Sequence, residues 1–137
     1  MQNIVFILFN GWGASKNDWL YGDNGTQIPR KLDFTKQLEK LGQVYLFNSI
    51  FFNIEYYKTP ITKEDKRLIN MNKKYKAFDS DIMFNISDLD FKKYCKIIYD
   101  NVIKKYGSNK KYVLIGWSYG GHIALLFSKL FKKNVLF

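Results

Sequence analysis

Gly116-Trp117-Ser118-Tyr119-Gly120 is the stretch with the clearest chemistry. A serine flanked by glycines two residues to either side suits a nucleophile held on a sharp turn. Larger side chains at those two places would collide there. The apolar run Tyr112–Ile115 precedes it and a helical pattern follows, so the turn joins a strand to a helix. In that setting the backbone N–H of Tyr119 faces the carbonyl under attack, and the helix start adds a positive dipole end. Asn10-Gly11-Trp12-Gly13 follows another apolar run, Ile4–Phe9. A glycine-rich loop there can turn the Trp12 N–H inward as a second oxyanion donor, with Gly11 and Gly13 easing the backbone. Trp117, Phe51 and Phe52 are candidate walls of a substrate pocket, as is Tyr56.

The proton relay is harder to find. A serine nucleophile needs a base, and usually an acid to orient it. No Asp or Glu follows Ser118, and His122 is the single histidine of the chain. His122 stands four residues after Ser118, within reach only if both lay on one helix face. The expected role of His122 is a helix residue packed on a neighbour. The one cysteine, Cys95, excludes an internal disulfide and a cysteine-built zinc site, and reads as a small buried apolar group. Asp79, Asp81, Asp88 and Asp90 read as turn and capping residues, lacking the glycine and terminal glutamate of a calcium loop. No metal and no cofactor is expected.

The elements that must hold these residues follow from periodicity. Ile4–Phe9 is continuously apolar and β-branched or aromatic, the signature of a strand buried on both faces. Phe34, Leu38 and Leu41 mark a helix over about residues 31–41, with Gly42 in the place of a C′ glycine. Val44–Phe47 is a second strand. Residues 48–87 mix aromatics with a lysine-rich tract broken by Pro60, and read as an insert or lid. Ser87-Asp88-Leu89-Asp90 resembles a helix start. Phe91, Tyr94, Ile98 and Val102 continue that helix and Gly107 stops it. Tyr112–Ile115 is a third strand, Ile123–Phe131 a helix, and Val135–Phe137 the start of a strand. Alternation of this kind predicts one α/β domain over residues 1–137, with a parallel sheet.

These motifs together resemble the α/β-hydrolase superfamily. Its members typically read His-Gly-x-Gly in the first loop and Gly-x-Ser-x-Gly-Gly at the elbow, against Asn10-Gly11-Trp12-Gly13 and Gly116-Trp117-Ser118-Tyr119-Gly120-Gly121 here. The Gly-Trp-Gly loop with a Gly-Trp-Ser elbow is similar to the pimeloyl-acyl-carrier-protein methyl ester esterases, in one branch of which Asn also stands for the loop histidine. The resemblance covers both ends of the chain but not residues 48–87. It implies a three-layer sandwich that stops as the sixth family strand begins, before the strands that bring the acid and the histidine. It implies a serine esterase acting on an ester or thioester through Ser118, with Trp12 and Tyr119 as the oxyanion hole. The alternative is a non-catalytic remnant or binding module.

The chain of 137 residues carries a formal charge of +10. Nearly all of the positive charge is lysine, with Arg30 and Arg67 the only arginines. Base readout and bidentate phosphate clamps favour arginine, so no specific nucleic acid is expected. A basic nucleic-acid or membrane-surface binder is the remaining alternative; it leaves the glycine-flanked serine unexplained. The resemblance to the carrier-protein ester esterases implies an acidic carrier protein as a partner, which would suit the lysine-rich surface. No apolar run reaches the length of a membrane span, and no basic leader precedes the first one. A cytoplasmic location is expected, and an open sheet edge invites association.

Overall fold

A computed structural model describes residues 3–11, 19, 34–47 and 91–136, together with the backbone of 88–90. Six elements follow one another: β1 (Ile4–Phe9), α1 (Phe34–Glu39), β2 (Gln43–Leu46), α2 (Asp88–Tyr106), β3 (Lys111–Gly116) and α3 (Tyr119–Leu130). The strands form one parallel sheet in the order β2-β1-β3. Val5 lies opposite Gln43 and Leu8 opposite Leu46 on one side. Ile4 lies opposite Lys111 and Phe9 opposite Gly116 on the other. β1 is therefore central, which is why its sequence is apolar without alternation. Val5 through Phe9 are all buried.

One face of the sheet makes the core. Val5, Ile7 and Phe9 pack with Tyr45, Phe47 and Tyr112 beneath α2 and α3. Phe9 meets Phe47 and Phe127 edge-on, with ring centres 5.4 and 5.6 Å apart. Tyr99 of α2 stacks on Phe131 just beyond α3, with ring centres 4.1 Å apart, which ties the two helices together. The Tyr106 hydroxyl donates to the Val44 carbonyl at 3.0 Å and holds the end of α2 to β2.

The boundaries refine three expectations. The second strand is Gln43–Leu46, one residue earlier than its apolar run, because pairing with β1 sets its limits. α3 begins at Tyr119 rather than Ile123. Gly120 and Gly121 are poor helix formers and hide that first turn from a propensity reading. Gly42 is not a left-handed C′ residue: among the described glycines only Gly107 has positive φ, at 91°, directly after α2. A Cβ on Gly42 would instead stand 2.6 Å from the Ile4 carbonyl oxygen. Close approach to β1 requires that glycine.

Beyond β3 an isolated parallel bridge joins Tyr112 to Val135. The Tyr112 N–H donates to Asn134 O at 2.7 Å, and the Leu136 N–H to Tyr112 O at 2.8 Å. The fold is thus α/β with an open parallel sheet. No helix among the described residues is long and apolar enough to cross a membrane.

Candidate active site

Chain direction selects the place where a site can form. From β1 the chain moves to β2 on one side, then crosses back to β3 on the other. In an open parallel sheet, ligands bind at the carboxyl ends of strands where the order reverses. Here that point lies between β1 and β3. The residues just past it are Asn10-Gly11 and Trp117-Ser118.

The backbone of the second pair is unusual. The Trp117 N–H donates to Phe9 O at 3.0 Å, the last rung between the two strands. The Gly120 N–H then donates to Trp117 O at 2.9 Å, closing a four-residue turn. Ser118 holds its first corner at φ 54°, ψ −124°. Those angles belong to a type II′ turn, where glycine is the usual occupant. Among the described residues Ser118 is the only non-glycine with positive φ. A conformation of this kind costs about 1–3 kcal/mol. Helix capping does not account for it. A capping serine sits in the β region and bonds the first turn through its oxygen, whereas the Ser118 side chain makes no capping bond. It stands exposed at the head of α3.

Two glycines make this turn feasible. A Cβ on Gly116 would lie 2.6 Å from the Gly121 Cα. A Cβ on Gly120 would run into the Phe9 carbonyl oxygen and stand 2.6 Å from that of Asn10. The helix start is therefore pressed against the end of β1, as the spacing around the serine predicts. Gly121 is different, for a Cβ there would meet nothing within 4 Å. Gly11 also has room: a Cβ on it would make ordinary contacts of 3.5 Å with the Ser118 Cβ and the Trp117 ring. The structure thus brings Gly11 beside Ser118 without needing glycine for φ at that position.

Asn10 anchors this approach. It is 5% exposed, and its Nδ2 donates to the Phe47 carbonyl at 2.5 Å, tying the ends of β1 and β2. Its Oδ1 is buried without a partner. Sequence alone marked Asn10 as a departure from a motif; the tie to Phe47 lies 37 residues away and has no local signal.

Trp117 is 49% exposed at the rim. Tyr119 occupies the first turn of α3, where a backbone N–H has no intrahelical acceptor. Its ring lies beside Phe91 and His122, and burial raises its phenol pKa. Ser118 and His122 line one groove of about 690 Å³. No hydrogen bond joins them, and the His122 ring lies beside that of Tyr119, with centres 5.8 Å apart. Cys95 is fully buried, and burial pushes its thiol up to about 12, so it is no nucleophile at neutral pH. Trp12, Gly13, Phe51, Phe52 and Tyr56 lie outside the described residues. Among the described residues no three His, Cys, Asp or Glu side chains gather as a metal site would need.

This arrangement presents an exposed hydroxyl on a strained turn, a helix N-terminus behind it and an apolar groove beside it. Comparison with family models, with curated proteins and with solved structures finds no match in any of the three.

Proposed function

We propose that Ser118 is the nucleophile of a serine hydrolase of the α/β-hydrolase type, acting on an ester or thioester. The observation that carries this reading is the Ser118 backbone, held at φ 54° with no capping bond to explain it. Strain kept at an exposed serine, at the switch point of a parallel sheet, favours a site over a linker. The Ser118 oxygen would add to the acyl carbon and the alcohol or thiol would leave with a proton. Water would then release the acid. The Tyr119 N–H would hold the oxyanion, joined by the Trp12 N–H as the sequence motif implies.

The proton needs a carrier. Within this chain His122 is the only imidazole, and no carboxylate follows Ser118 to orient it. The missing hydrogen bond between Ser118 and His122 favours a second reading, a hydrolase-like domain that binds an acyl ligand without turning it over. A fluorophosphonate probe separates the two. Labelling of the wild-type chain, lost in Ser118→Ala and in His122→Ala, supports a nucleophile with an internal base. Labelling lost only in Ser118→Ala places the base elsewhere. A folded wild-type chain that takes no label refutes catalysis by this polypeptide.

A further inference from the structure

The parallel order gathers a second surface at the end of the sheet away from Ser118. Three short links bring helix ends back to strand starts: residues 40–42 before β2, 107–110 before β3 and 131–134 before the bridge at Val135. They lie side by side. Gly42 is pressed on the Ile4 carbonyl. The Lys111 N–H donates to Asn3 O and the Tyr112 N–H to Asn134 O, both at 2.7 Å.

Lysine is concentrated at this end. Residues 39–43, 104–111 and 129–134 hold eight lysines against one acid, Glu39. All eight but Lys110 are exposed. A lysine in the last turn of a helix is an ordinary complement to its dipole. Lys110, Lys111, Lys132 and Lys133 stand outside the helices and go beyond that need. Two leucines share the face. Leu41, directly after Lys40, is 66% exposed, and Leu130, directly after Lys129, is 38% exposed.

Three features choose the partner. The cations spread over three links instead of lining one groove, so a planar anionic surface meets them together and one peptide strand does not. The only arginines, Arg30 and Arg67, lie outside the described residues. Tyr99 and Phe131, at the same end, stack on each other and offer no paired platform to a base. Lysines without arginine or free ring faces suit lipid headgroups better than nucleic acid. An exposed leucine beside a lysine is the pairing that enters a headgroup boundary.

We propose that this end of the molecule docks on an anionic lipid surface. The lysines meet the headgroup anions, and Leu41 and Leu130 enter the boundary between headgroups and acyl chains. Ser118 stands at the other end of the strands, about 20 Å away. The proposal does not depend on its being a nucleophile.

The test is co-sedimentation of the whole chain with vesicles of phosphatidylcholine, alone or with about one third phosphatidylserine. Binding is expected to the anionic vesicles only, and to fall as salt rises. Lys132→Gln with Lys133→Gln should weaken it about twenty-five-fold, or about fivefold for each lysine. Lys92→Gln with Lys93→Gln makes the same charge change about 20 Å along α2, and should weaken it less than about threefold. Leu41→Ala should weaken it about fivefold. All five positions are exposed. No binding to the anionic vesicles, equal binding to both kinds, equal losses in the two double variants, or no effect of Leu41→Ala would each overturn the proposal. So would a duplex oligonucleotide held more tightly than the vesicles at equal phosphate, which would assign the face to nucleic acid.

Discussion

α2 and α3 cover the same face of the same sheet, yet they meet water differently. α2 buries Tyr94, Cys95, Ile98 and Val102 and turns Lys92, Lys93, Lys96, Lys104 and Lys105 outward. It is a surface helix with one apolar stripe. α3 buries Gly120, Ile123, Ala124 and Phe127, but its far side shows His122, Leu125 and Leu130 as well as Lys129. A helix that is apolar most of the way round is built to be covered on both sides. The contrast is between a helix that turns only polar side chains to solvent and one that leaves Leu125 and Leu130 exposed.

Substitutions along α3 should break or sharpen this contrast. Phe127 is fully buried between Phe9, Tyr112 and Phe131. Phe127→Ala should cost about 3–5 kcal/mol in chemical denaturation. Leu125→Ala, two residues away on the open side, should stay within about 0.5 kcal/mol. Similar losses for the two would mean that both sides of α3 are covered in solution. Next in size, Gly120→Ala should cost about 1–3 kcal/mol, because its methyl has no room against the end of β1. Gly121→Ala, with open space, should leave stability level or raise it through better helix propensity.

A smaller effect separates the core from the rim. The Tyr112 hydroxyl is buried without a partner. Tyr112→Phe should therefore be neutral or stabilising by about 1 kcal/mol at pH 7. Burial, and secondarily the neighbouring Tyr99, push the Tyr112 phenol from 10.0 up to about 12. Burial takes the Cys95 thiol from 9.0 to about 12. Both groups are neutral when protonated, and the folded state holds those protons longer than the unfolded chain. Stability is then full below pH 9 and falls as pH rises toward 12. Tyr112→Phe and Cys95→Ala should each flatten that alkaline decline in denaturation series across this range. Least of all, Lys96→Ala removes an exposed 2.8 Å pair with Asp100 on α2 and should cost about 0.3–0.5 kcal/mol, lost in high salt.

How far the sequence could be read depended on the range of the forces involved. The unbroken apolar run Ile4–Phe9 revealed the central strand, since burial on both faces leaves a local mark. Glycines at 116 and 120 revealed the tight strand-to-helix turn, because the steric demand falls on nearby residues. Gly42 misled, because a glycine that ends a helix and one that lets two strands approach look alike after an apolar helix. The first turn of α3 stayed hidden for a related reason: packing against β1 selects glycines that propensity counts against a helix. The Asn10 tie to Phe47 and the orphan hydroxyl of Tyr112 depend on residues far apart in the chain. Of the proposed site, Ser118, Tyr119, Trp117 and Gly11 come together; the remainder of the motif lies outside the described residues.

The Ser118 backbone has a consequence for directed evolution. Glycine at that position would relax the turn, so selection for thermal resistance alone should drift toward Ser118→Gly. With Ser118 as the proposed nucleophile, selection for turnover should resist the same change. A library sorted separately for the two traits would diverge at this codon, and the size of that divergence would measure what the hydroxyl is worth to the protein.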